Sequence, residues 1–138
     1  MLKTGEAFWY PGTGPSHRSS TPHICVVAKI DSANDDIYFI PISSEILNLD
    51  QTCVINVADG WNPPIIRKSF AAYFHARRAS LKGVTAQIAE GTARRIGVVP
   101  NEIFARIVAG ITVSEDTEPS FKKAFEPKQQ ERRILSGD

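Results

Sequence analysis

The chain has little of what would announce a strong class. Cysteine occurs twice, as Cys25 and Cys53. Each sits among apolar neighbours and no CxxC pair exists, so two buried thiols in a reducing cytoplasm are expected rather than a disulfide framework. No apolar run approaches the roughly 20 residues that a membrane-spanning helix needs. The start "MLKTGEAFWYPG" has no basic segment leading into a long apolar one, so no secretory signal is expected. Excess charge of one sign is also missing. Sixteen Lys and Arg against fifteen Asp and Glu leave a net charge of +1, so no global field draws in RNA or acidic lipid, and any phosphate must be held by a local cluster. The phosphate-binding glycine loop, HExxH and GxSxG are all absent. His17, His23 and His75 stand at no metal-ligand spacing, so neither a metal nor another cofactor is expected.

What is present fits one domain with one hydrophobic core, the usual outcome for 138 residues. The first half reads as strands. "EAFWYP" (Glu6–Pro11) is aromatic-rich and stops at Pro–Gly. "HICVVAKI" (His23–Ile30) is a continuous β-branched run, the pattern of a strand buried on both faces. The polar turn "DSANDD" links it to "IYFIPIS" (Ile37–Ser43), predicting an antiparallel hairpin. Pro41 inside that run predicts a bulge, or a strand leaving the sheet there. "TCVINV" (Thr52–Val57) reads as a fourth strand, and "SFAAYFHARRA" (Ser69–Ala79) as a fifth strand or a helix.

The second half is helical in pattern. "PNEIFARIVAGI" sets Ile103, Phe104, Ile107, Val108 and Ile111 on one stripe, with Pro100 suited to the first turn and Gly110 to a cap. "SLKGVTAQIAEG" suggests a shorter helix. From Ser114 onward the chain is mostly polar and reads as a tail, or as a segment that docks on a partner. The expected architecture is mainly β with added helix. A small, strongly curved antiparallel β-barrel spans 1–113, an amphipathic C-terminal helix packs on it, and the polar tail spans 114–138.

The chemistry-bearing residues collect at strand ends. His17 and Arg18 lie in the loop "PGTGPSHRSSTP". Ser43 and Ser44 close the third strand, and Lys68 and Ser69 open the fifth segment. If Ser69–Arg78 is one strand, Ser69, Ala71, Tyr73, His75 and Arg77 share a face by the two-residue period. Phe70, Ala72, Phe74, Ala76 and Arg78 then face the core. Such a polar row suits a phosphate backbone or proton transfer; it would equally serve as a solvated sheet face.

The order "GEAFWYPG", a Gly/Ser/Arg loop, a Pro-led apolar strand "TPHICVVAKI", then "IYFIPISS" resembles the MazF/PemK family of toxins from bacterial toxin–antitoxin pairs. "KSFAAYF" and "PNEIFARIVAGI" continue the likeness, which covers roughly residues 5–112. The stretch "DQTCVINVADGWNPPIIRKSFAAYFHAR" is similar to a particular branch of PemK-like proteins. The resemblance implies a compact barrel with a helix, a homodimer, metal-independent cleavage of single-stranded RNA, and neutralisation by a cognate antitoxin. The family's loop arginine corresponds to Arg18, here upstream of Thr21–Pro22, and its Thr/Ser after the third strand to Ser43 and Ser44. On this reading Arg18, His17, His75 and Ser43 are catalytic. Ser44, Lys68, Ser69, Tyr73 and Arg77 bind substrate, with Trp9, Tyr10 or Trp61 as stacking platforms. The contrasting expectation is a non-catalytic module of the same fold that holds a protein or nucleic-acid partner.

Overall fold

The structure is a computed structural model that describes residues 1–11, 23–44 and 50–126. Seven strands form one sheet: β1 (Glu6–Tyr10), β2 (His23–Asp31), β3 (Asp36–Ser43), β4 (Val54–Ile55), β5 (Ser69–Ala71), β6 (Arg77–Ser80) and β7 (Arg94–Val98). Three helices accompany them: α1 (Leu81–Glu90), α2 (Asn101–Val113) and α3 (Pro119–Lys123). The strand order is β4-β5-β3-β2-β1-β7, with β6 also on β3, and every pairing is antiparallel. Among the described residues β4 and β7 lie at opposite ends of this order and do not pair. The expected barrel is thus an open antiparallel sheet with helices on it.

The uninterrupted apolar run of β2 is explained by burial on both faces. Ile24, Val26 and Ala28 join one cluster with Ile40, Ile42 and the α2 residues Ile103, Ile107 and Ile111. Cys25 and Val27 join the other, with Phe8, Ile37, Phe39 and the α1 residues Leu81 and Val84. The predicted stripe of α2 is therefore the one that packs, and each fully buried isoleucine there contributes about 1.5–3 kcal/mol. The shorter helix is bounded as its sequence suggests. Ser80 Oγ accepts from the Gly83 amide at 3.0 Å, and Gly91 closes the helix in a left-handed conformation.

Four expectations are corrected. The fourth strand shrinks to Val54–Ile55. A seventh strand, Arg94–Val98, pairs with β1 although its sequence shows no alternation. Gly110 is not a cap: α2 runs on to Val113, and Gly110 is buried where a Cβ would overlap the Tyr73 hydroxyl. Ser69–Ala79 is neither one strand nor a helix. It is β5, a 3₁₀ turn (Tyr73–His75), then β6.

Pro41 explains that break. β3 continues through it, but β3's neighbour on one side changes there: β6 pairs with Asp36–Phe39 and β5 with Ile42–Ser43. Proline has no amide to offer a ladder, so it sits where the facing chain leaves the sheet. The Pro41 carbonyl is still used, accepting from the Ala72 amide at 2.8 Å. The chain then coils into the 3₁₀ turn, with the His75 amide bonded to the Ala72 carbonyl and the Ala76 amide to that of Tyr73.

The described part of the segment after α2 packs against the body. Phe121 is buried, and Phe121 and Phe125 stack on each other and meet Tyr38 edge-on. Lys29 Nζ donates to the Ala124 carbonyl at 3.0 Å and stands over the Tyr38 and Phe125 rings. A polar segment is thus held by a few aromatic residues and one cation.

Candidate active-site cleft

The 3₁₀ turn decides which side chains reach solvent. Tyr73 points inward and is almost fully buried, its hydroxyl donating to the Ile107 carbonyl of α2 at 2.6 Å. Burial, with smaller contributions from Cys53 and Asp50, pushes its phenol far above the ordinary value, so it stays a neutral donor. Phe74, next in sequence, points outward and is 73% exposed. Its ring meets the His75 ring edge-on at 5.2 Å.

Beyond the turn lies a cleft of about 370 Å³, within the usual range for small-ligand sites. It is lined by Phe74, His75, Ala76, Arg77 and Arg78 from the turn and β6, by Glu118, Ser120 and Phe121 from the α3 segment, and by Tyr38. Arg77 and Arg78 are exposed. Arg78 Nε lies 4.0 Å from Asp36, a loose surface pair worth little. No hydrogen bond or ion pair engages the Arg77 guanidinium among the described residues. Among the other lining residues, a Glu118 carboxylate oxygen accepts from the Ser120 hydroxyl at 2.9 Å.

The other predicted residues are distributed differently. Ser43 and Ser69 are buried, and the Ser69 hydroxyl donates to the Arg67 carbonyl at 2.9 Å. Ser44 and Lys68 are exposed, with Lys68 Nζ 5.7 Å from the centre of the Phe70 ring. This serine end is separated from the cleft by the length of β3 between Ser43 and Phe39, roughly 13 Å at about 3.3 Å per residue. Trp61 is buried in the α2-side cluster and offers no platform. Trp9 is half-buried beside a separate cavity of about 400 Å³ with Gly91, Thr92 and Arg94. Tyr10 is half-buried and meets the Phe8 and Phe39 rings edge-on at 5.7 and 5.5 Å. His17 and Arg18 lie outside the described residues. β1 ends and β2 begins at the serine end, where His23 lies level with Ser43 by the pairing of Ile24 with Ile42.

The continuous polar row from Ser69 to Arg77 is therefore overturned. Of its members, His75 and Arg77 share the cleft, while Ser69 and Tyr73 are internal. Phe74, Arg78, Glu118 and Ser120 were missed.

Several other buried or half-buried polar groups are engaged within the fold. Burial pushes the Asp50 carboxyl up, but hydrogen bonds from Thr52 and Ser114 outweigh it and hold the carboxyl below its ordinary 3.8. Glu6 is buried and engaged by both Arg95 nitrogens and by the Lys3 amide at 2.8–2.9 Å. Both cysteines are buried and free, and burial pushes the Cys53 thiol up. Among the described residues no group of three or more His, Cys, Asp or Glu could hold a metal ion, and no helix is long and apolar enough to cross a membrane.

An open antiparallel sheet, helices on both of its faces, and a cationic cleft where β6 meets the C-terminal segment define the architecture. No family model and no curated protein matches the chain. Two crystal structures of the MazE–MazF complex from Deinococcus radiodurans do match in fold. For the Form-II structure the TM-score is 0.51 at 10% identity, covering 81% of this chain and 92% of the matched one. For Form-III it is 0.52 at 11% identity, covering 85% and 98%. The chain has a MazF-like fold.

Proposed function

We propose that the protein is the toxin of a type II toxin–antitoxin pair and cuts single-stranded RNA at the His75 cleft through the RNA 2′-OH, without a metal ion. The observation that carries this reading is the grouping of an imidazole, two guanidinium groups and an exposed aromatic ring in one cleft of a MazF-like fold. In the reaction the 2′-oxygen bonds to phosphorus and the bond to the 5′-oxygen breaks, giving a 2′,3′-cyclic phosphate and a 5′-hydroxyl. A base removes the 2′ proton and an acid supplies one to the leaving oxygen. His75 suits either role, because imidazole alone titrates near neutral pH without assistance. Arg77 and Arg78 offer planar forks for the charge that builds on phosphorus, and Phe74 offers a stacking surface.

Arg18, by the family resemblance, and the neighbouring imidazole of His17 complete the catalytic set, and Ser44 and Lys68 line a path for flanking RNA. The same resemblance supports a cytoplasmic homodimer neutralised by an antitoxin. The test is incubation of purified protein with single-stranded RNA in EDTA. Cutting that needs the 2′-OH and leaves a cyclic phosphate is expected. Intact RNA, or His75→Ala and Arg77→Ala cutting as fast as wild type, overturns the assignment.

The near-zero net charge and the outer edge of β7, with Val98 76% exposed, favour a second reading: a non-catalytic module that binds a protein partner. It predicts no growth arrest on induction and a partner affinity insensitive to salt, since phosphate contacts weaken steeply as salt rises.

A further inference from the structure

The cleft is not uniformly cationic. A site for bare phosphate gains nothing from a carboxylate, which repels the ligand. Yet Glu118 lines the same cleft as Arg77 and Arg78, and it pairs with neither within 4 Å among the described residues. Ser120 holds one of its oxygens by donating a hydrogen bond at 2.9 Å. A carboxylate that the cleft's own cations leave unclaimed is suited to a ligand that brings N–H donors along with its negative charge. A nucleotide unit has both: phosphate for the guanidinium groups, a base for the Phe74 ring, and a base edge for the carboxylate.

Base edges differ in what they give a carboxylate. Guanine presents two adjacent donors, N1–H and the 2-amino group, matching two carboxylate oxygens. Adenine and cytosine present one amino donor beside a ring-nitrogen acceptor, which the carboxylate repels. Uracil presents one N–H flanked by two carbonyl oxygens. We propose that Glu118, held by Ser120, is a specificity-determining residue that selects guanine in the single-stranded RNA entering the cleft.

This rests on the RNA reading above but is tested by binding, which needs no cleavage. The probes are 2′-O-methyl oligonucleotides, single-stranded and uncleavable, identical except for one central G, A, C or U. The G oligonucleotide is expected to bind roughly ten- to hundredfold more tightly than the U one, the discrimination typical of a bidentate side-chain–base contact. Glu118→Gln offers one acceptor and one donor in nearly the same shape. It should erase the preference for G and raise relative affinity for A, while Glu118→Asp should keep the order G first. Glu118 is exposed, so neither variant threatens folding. Equal affinity for all four bases, or an unchanged preference in Glu118→Gln, overturns the inference even if RNA is cut. G-selective binding without cutting supports it and overturns the nuclease assignment instead. No binding of any oligonucleotide overturns both.

Discussion

The two ends of β3 treat polar side chains in opposite ways. At the Ser43 end two hydroxyls are internal: Ser43 and Ser69 are buried, and the Ser69 hydroxyl is spent on the Arg67 carbonyl. At the Tyr38 end, where β6 replaces β5, cations stand in solvent around a cleft and an aromatic ring is exposed beside them. The switch takes place within two residues, Tyr73 inward and Phe74 outward, in one 3₁₀ turn. Hydropathy predicts the reverse, since the phenol is the more polar ring. A buried tyrosine is stable when its hydroxyl finds an acceptor, and the Ile107 carbonyl supplies one. A hydroxyl residue near a site is thus no sign of function until its partner is known.

The largest expected effect bears on the cleft end. His75→Ala should slow RNA cutting by about 10²–10⁴-fold, the usual worth of general acid–base help, with the thermal midpoint unchanged; single-turnover kinetics and a melt check both. Next is the lock between the turn and α2. Gly110→Ala drives a methyl group into the Tyr73 hydroxyl and should cost about 1–3 kcal/mol in urea unfolding. Gly83→Ala in α1 meets only Ser80 at ordinary contact distance and should be neutral or stabilise by up to about 1 kcal/mol. A similar gain in both would show that helix propensity, not the Tyr73 contact, governs Gly110.

A smaller effect is expected in acid. The Asp50 carboxyl is held below 3.8 in the folded chain, so it favours folding above that pH. The contribution fades as pH falls through the folded-state value. Urea midpoints should drop between pH 5 and about 3, and Asp50→Asn should flatten that drop. The smallest is Phe74→Ala, a surface change expected to alter stability by less than about 0.5 kcal/mol while weakening oligonucleotide binding.

These contrasts also mark what the sequence could and could not disclose. β2, the β2–β3 hairpin and the inward stripe of α2 were legible because each is a long periodic signal enforced by burial. The polar row failed because alternation was carried across a break. Pro41 had announced that break, but in β3, whereas the chain that leaves is the neighbouring one. β7 was illegible because it is an edge strand whose arginines face solvent or Glu6. Glu118 and Ser120 could not be placed from sequence at all. Their meeting with His75 depends on Phe121 and Phe125 docking at Tyr38, a long-range packing event with no local pattern. His75 and Arg77 line one cleft, whereas Tyr73 and Trp61 are buried.

The docking of Phe121 against Tyr38 also bears on when the pocket comes into existence. One part of the lining is synthesised well before the rest, so a polypeptide still emerging from the ribosome carries the arginines without the α3 residues. A product that stops short of α3 would present half a recess, with its aromatic floor bare to water. A chain ending before α3 lacks Ser120 and Phe121 from the lining and leaves Tyr38 without its Phe121 and Phe125 partners.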